Sequence, residues 1–156
     1  MEISMYEPLS YPEGWSLELS RMESICRGIP GCRAFFTAIF ENRKIAVASH
    51  HVRQQVEARN EEPSDQWSDE EDQQIASEIA TICKNVIGWE NDHFIPEDPF
   101  EIMIDLRIGD LIDVEAIKKI EEKYGVDFKP LIDDGSLWKM TFQDVVARVR
   151  SERTKS

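Results

Sequence analysis

The chain has 156 residues, of which 41% are hydrophobic, 9% aromatic and 31% charged, and its net charge at neutral pH is -13. This is length and apolar content enough for one ordinary domain with a buried core, and it excludes a disordered chain. An acidic surface repels nucleic-acid phosphates and anionic lipid, and no stretch approaches the roughly 20 apolar residues of a membrane span, so nucleic-acid and membrane partners are not expected.

The charge is unevenly placed. Residues 1–60 carry seven acids and seven bases, residues 61–146 carry 23 acids and seven bases, and the tail from Ala147 adds four bases and Glu152. The acidity belongs to the second half and favours encounter with a basic-surfaced protein. The first residues show no basic run followed by an apolar core and cleavage site, so the expected location is the cytoplasm. Cys26, Cys32 and Cys83 are an odd number without zinc-finger spacing and read as free buried thiols.

Along the chain, Pro8, Pro12 and Gly14 keep the first residues irregular. Leu17 to Cys26, Cys32 to Phe40 and Ile45 to Val56 are amphipathic helix candidates, the first two separated by Gly28-Ile-Pro-Gly31. The third puts Ile45, Ser49, Val52 and Val56 on one face. Together they make an N-terminal helical extension over residues 1–60. Residues 61–68, with Pro63, serines and several acids, form an acidic linker whose Trp67 is expected to pack on the N-terminal helices.

A capping box at Ser68-Asp-Glu-Glu71, with Ser68 as N-cap, opens a helix over about 69–87. Its apolar stripe is Ile75, Ile79, Ile82 and Val86, widened by Ala76, Cys83 and Ile87, and Gly88 supplies a left-handed stop. In the following loop to Phe100, Pro96 and Pro99 forbid a continuous helix, and its apolar residues pin it to the core. Residues 101–109 are too apolar for a solvated linker and contain a helical turn or a short extended piece. The next helix, about Leu111 to Tyr124, turns Leu111, Val114, Ile117, Ile120 and Tyr124 inward and Glu115, Lys118, Lys119, Glu122 and Lys123 outward, and stops at Gly125. A short helical turn is expected within Leu131 to Trp138, broken at Asp133-Asp-Gly135. The closing helix starts at the N-cap Thr141, with Asp144 at its third position, a Met140–Val145 staple, and Phe142, Val145, Val146 and Val149 buried. Arg148, Arg150 and Arg153 suit the negative end of its dipole.

Sites that would carry chemistry are not apparent. His50 and His51 are adjacent and diverge by about 100° on a helix, and His93 is distant, so all three read as solvated or capping side chains. Asp92, Glu97, Asp98, Asp105, Asp110 and Asp113 lack the spacing of a calcium loop and read as solvated acids. No phosphate loop, dinucleotide fingerprint or nucleophile elbow is present. Catalytic, metal and cofactor residues are therefore assigned to none.

Helix, long loop, acidic helix, short turn and closing helix is a layout that resembles an acyl or peptidyl carrier domain over residues from about 70 to 150. The local likeness is closest at Val114-Glu-Ala-Ile-Lys-Lys-Ile-Glu-Glu-Lys-Tyr-Gly-Val126, and Met140-Thr-Phe-Gln-Asp-Val-Val-Ala-Arg-Val149 is similar to the family's closing helix. The resemblance implies an all-α, acyl-carrier-like four-helix bundle, here over 69–152, following the N-terminal extension. It also implies a serine in an Asp-Ser-Leu motif that carries a phosphopantetheine arm. The family's spacing back from Tyr124 lands on Asp110 in Gly109-Asp-Leu111: the leucine matches and the serine does not. An aspartate at a helix N-cap accepts from an unpaired N–H and meets the positive end of the dipole, worth ~0.5–2 kcal/mol.

The expected function is thus a nonenzymatic carrier-like protein without its prosthetic-group serine, an acidic interaction module. Its partner-binding residues are Asp110, Leu111, Asp113, Glu115, Lys118 and Glu122. Two alternatives stand beside it: a functional carrier with a displaced attachment serine, and a small-ligand protein or enzyme with a pocket between the N-terminal helices and the bundle.

Overall fold

A computed structural model describes residues 6–13, 42–63, 66–104 and 112–155. Among these the chain is all-α, with six α-helices, one π-helical turn and one 3-10 turn, and no strand. The candidate helices at 17–26 and 32–40, with Trp15, Cys26 and Cys32, lie outside the described residues, as do Asp105, Asp110 and Leu111.

Helix α1, Asn42–Glu57, begins before Ile45 and buries Ala48, Val52 and Val56 at four-residue spacing, with Ser49 half-buried. Helix α2, Glu70–Cys83, runs on into a π-helical turn at Lys84–Gly88, so that helical structure spans the predicted segment. Ile75, Ala76, Ile79, Ala80, Cys83 and Ile87 are buried along it, and Ile82 and Val86 are packed against the core. Its N-cap is Asp69 rather than Ser68. Asp69 is extended (φ -150°) and its carboxylate accepts from the Asp72 N–H at 2.9 Å, while the Ser68 hydroxyl donates to the Asp72 carboxylate at 3.2 Å. Asp69 and Asp72 repeat the capping spacing one residue on, and a cation from the far end of the chain, Arg150, meets both. At the other end Trp89 N–H closes the π-turn on the Lys84 carbonyl at 3.2 Å, and Gly88 takes φ +80°, where a Cβ would be strained.

The loop from Trp89 to Pro99 is buried through Trp89, Phe94, Ile95 and Pro96. The Trp89 indole N–H donates to the Met103 carbonyl at 2.8 Å, and its ring lies edge-on to Phe94. The residues after the loop form a single helical turn, α3, Phe100–Met103, so the first part of the apolar stretch is helical, and residues 105–109 lie outside the described residues. Helix α4 spans Ile112–Tyr124, and Gly125 ends it at φ +67°. Two short pieces follow, α5 at Lys129–Asp133 and a 3-10 turn at Ser136–Lys139, separated by Asp134 and Gly135.

The closing helix α6, Phe142–Arg153, has the expected capping box, with Thr141 N–H donating to Asp144 Oδ2 at 2.9 Å and Asp144 N–H to Thr141 Oγ1 at 3.3 Å. Its first two N–H groups, Phe142 and Gln143, donate to the carbonyls of Asp98 and Pro96 at 2.8 and 2.9 Å. The loop therefore satisfies donors that a helix start leaves orphaned.

Helices α2 and α6 pack most extensively, and α4 lies against α2 and its π-turn. Arg150 at the end of α6 meets Asp69 at the start of α2, which makes the pair antiparallel. Leu9, Val52 and Val56 belong to the same buried cluster as Ile79, Phe100, Ile120 and Val146, so the strap at residues 6–13 and helix α1 share one core with the later helices. Trp67 joins this core edge-on to Phe142, with ring centroids 5.1 Å apart, so the contact described for it is with the closing helix.

Candidate protein-docking surface

The candidate surface is the outward face of helix α4. Ala116, Ile117 and Ile120 are buried, which fixes the helix, and Glu115, Lys118, Lys119, Glu122 and Lys123 are exposed. The outward side chains are not a plain acidic row. Glu115 pairs with Lys119 at 3.3 Å and Lys118 with Glu122 at 3.8 Å, each one turn apart. Exposed pairs of this kind contribute only ~0.3–0.5 kcal/mol and exchange readily for other partners. Asp113 lies in the first turn of α4, and Asp110 and Leu111, just before it, lie outside the described residues.

The helix is clamped to α2 at its other end. Tyr124 donates a short hydrogen bond to Glu78, and Lys123 approaches the same carboxylate at 3.6 Å. The Tyr124 bond chiefly, with help from Lys123 and against the effect of burial, holds the Glu78 carboxyl below its ordinary value of 4.5. Partial burial and then Glu78 push the tyrosine hydroxyl up. The folded pKa of Glu78 lies below the unfolded one, so its contribution to stability is complete above about pH 4.5 and is lost as pH falls through the folded value. Tyr124→Phe is expected to flatten the acid limb of the stability curve, measured as the change in thermal midpoint between about pH 6 and about pH 2.

A second clamp, at the start of α2, joins Arg150 to Asp69, to Glu71 at 3.3 Å and to Asp72 at 3.1 Å. The Asp72 N–H first, and Arg150 second, lower the Asp69 carboxyl. This places the positive end of one helix dipole beside acids and the negative end of the other beside a cation.

The deepest polar group is a feature that local sequence patterns do not announce. Asp98 is completely buried and Arg59 is 2% exposed. Each Asp98 oxygen accepts twice: Oδ1 from Leu9 N–H and Arg59 Nη2, both at 2.9 Å, and Oδ2 from Arg59 Nη1 at 2.6 Å and Ile95 N–H at 2.8 Å. The guanidinium also donates to the carbonyls of His93 at 2.9 Å and Glu7 at 2.7 Å. The Tyr6 ring sits 5.5 Å from it, and the Tyr6 hydroxyl both donates to and accepts from the backbone of Glu61. Asp98 is thus not a solvated acid: with every lone-pair direction filled, a buried carboxylate is tolerated where a bare one would not be. Its setting between Ile95, Pro96, Pro99 and Phe100 is shared by Glu97, which is exposed, so the apolar stretch by itself does not single it out.

His93 is also engaged rather than solvated. Its Nδ1 lies 2.6 Å from the Arg59 carbonyl, which can only accept, so Nδ1 carries the proton. Asn91 donates to the carbonyls of Val56 at 2.8 Å and Arg59 at 3.3 Å, so the two side chains cap the end of α1. His50 is exposed and His51 half-buried on α1.

Cys83 is fully buried, and burial pushes its thiol up to about 12, so it is protonated at neutral pH and is no thiolate nucleophile. Among the described residues no group of three His, Cys, Asp or Glu could hold a metal ion, and no helix is long and apolar enough to cross a membrane. A shallow cleft of about 40 Å³ lies among Glu62, Pro63 and Trp67, α2, the loop and Phe142 of α6, lined in part by Ala80 and Phe94. It has room for water or the end of one side chain. No protein-family model, curated protein or solved structure matches this chain.

Proposed function

We propose that this protein is a nonenzymatic, acyl-carrier-like interaction module that lacks the prosthetic-group serine and docks a basic-surfaced protein. The docking residues are Asp110, Leu111, Asp113, Glu115, Lys118 and Glu122. The observation that carries the reading is the rigid presentation of α4: its inner residues Ala116, Ile117 and Ile120 are buried while Glu115, Lys118 and Glu122 stand out on an open face. Support also comes from the order of the elements, with the partly buried loop from Trp89 to Pro99 between α2 and α4, and the short pieces α5 and the 3-10 turn between α4 and α6.

The chemistry of docking follows from the charges. Glu115 and Glu122 are held only by exposed pairs one turn away, so an incoming lysine or arginine displaces a neighbour at little cost. Asp105, Asp110 and Asp113 add negative charge in sequence just before that face. Complementary charge of this kind speeds encounter and sets register more than it adds affinity. An aspartate at position 110 has no hydroxyl to form the phosphodiester that attaches the arm.

Coexpression with a phosphopantetheinyl transferase of broad specificity, followed by intact-mass measurement, tests this reading. The expected result is the unmodified mass. An increment of one arm, mapped to a serine, would establish a functional carrier instead.

A further inference from the structure

The strap at residues 6–13 is held largely by its main chain, gripped by side chains of other elements. Leu9 N–H donates to Asp98 Oδ1 at 2.9 Å, and the Glu7 carbonyl accepts from Arg59 Nη2 at 2.7 Å. Gln55 of α1 takes both main-chain groups of Ser10: its Oε1 accepts from the Ser10 N–H at 3.1 Å and its Nε2 donates to the Ser10 carbonyl at 2.8 Å. Among residues 7–10 only Leu9 is buried, while Glu7, Pro8 and Ser10 are exposed. We propose that α1 and the Trp89–Pro99 loop form a peptide-binding seat, occupied in cis by the strap. Its occupant in trans is an extended segment of a partner protein that carries a leucine-sized side chain. This seat is separate from the outward face of α4, and the inference does not depend on docking there.

The polar groups of the seat are held in place without the strap. Arg59 keeps both oxygens of Asp98, at 2.6 and 2.9 Å, and the His93 carbonyl at 2.9 Å, while Ile95 N–H keeps Asp98 Oδ2 at 2.8 Å. The strap supplies only one of the four donors to Asp98, so these groups stay oriented when it leaves, and a preorganised site loses little on binding. Main-chain groups are common to every extended peptide. Recognition of this kind draws affinity from the main chain and specificity from the side chain that is buried, here the one at the place of Leu9. Pro8 biases Glu7 toward extended backbone, which suits the strap as the template of its ligand. A second copy offers the same segment, but two chains of charge -13 repel each other, which favours a different protein as its source.

In the unaltered full chain, Leu9 and Ile95 donate to the same carboxylate, one from the strap and one from the loop, which gives native-state hydrogen exchange an internal reference. The Leu9 and Ser10 amides are expected to exchange at least about tenfold faster than that of Ile95 and with a smaller urea dependence, as for a segment that leaves while the rest stays folded. Equal rates and equal slopes would make the strap an integral part of the core and overturn the proposal. The seat is tested in the full-length variant Leu9→Ala, whose shortened side chain weakens the strap by about thirtyfold or more. A peptide of residues 6–13 at about 0.3 mM then competes with the millimolar effective concentration of the cis segment. It is expected to shift the side-chain amide resonance of Gln55 and to raise the thermal midpoint, and the same peptide with Leu9→Ala is expected to do neither. Should the alanine variant not fold, Leu9→Val carries the same comparison. No response to the leucine peptide, or equal responses to both, would overturn the seat. A doubling of mass when the variant is concentrated without peptide would assign the seat to the strap of a second copy and overturn the partner segment.

Discussion

Arg59→Ala lowers the free energy of unfolding by about 3–5 kcal/mol, the loss expected when one partner of a buried ion pair is removed and the other stays in the core. The substitution strips Asp98 of two of its four donors and leaves the carbonyls of Glu7 and His93 without the guanidinium. Against a total stability of about 5–15 kcal/mol for a domain, this is a large fraction. Urea unfolding of the variant and the parent measures it. A loss below about 1 kcal/mol would mean that water reaches Asp98 once the arginine is gone. Replacing both partners by apolar residues, as in the double variant Arg59→Met with Asp98→Leu, is not expected to restore stability. The N–H groups of Leu9 and Ile95 still need the carboxylate as acceptor.

Removal of residues 1–61 has the largest expected effect. It takes Leu9, Val52 and Val56 out of the shared core. At about 1.5–3 kcal/mol for full burial of each such side chain, their loss amounts to roughly 5–9 kcal/mol. It also removes Arg59 and the Leu9 N–H, so that Asp98 keeps only the donor from Ile95. The combined loss reaches the range of a whole domain's stability, and the fragment from Glu62 onward is expected to show no cooperative unfolding transition in urea. A fragment that unfolds cooperatively, with dispersed amide resonances, would instead establish residues 69–152 as an autonomous bundle and the first 60 residues as an appendage. The experiment therefore separates one domain from two.

The legible features are local ones. Thr141 and Asp144 lie three residues apart and cap α6 as their spacing requires, and Phe142, Val145, Val146 and Val149 are buried where the helical period puts them. The left-handed stops at Gly88 and Gly125 likewise depend on neighbours within one turn. The cap of α2 shows the limit of that reasoning. Ser68 with Glu71 and Asp69 with Asp72 satisfy one spacing rule equally, and the structure selects the second, with Arg150 arriving from 81 residues away. In the candidate site, the alternation of Glu115, Lys118, Lys119 and Glu122 with buried Ala116, Ile117 and Ile120 follows the helical period; the cleft beside Trp67 does not, because it is assembled from four separate segments.

The sequence by itself determined the three longer helices from 70 onward, α2, α4 and α6, and the glycine stops of the first two, because backbone conformation and side-chain period are set by residues three and four apart. Tertiary structure alone decided which charges of the loop are buried and which are exposed. Asp92 and Glu97 stay at the surface or partly so, while Asp98, in the same loop, disappears into the core. Nothing in its immediate neighbours distinguishes it. What does is a guanidinium 39 positions earlier and a backbone N–H 89 positions earlier, brought to hydrogen-bond distance only when strap, helix and loop close on one core.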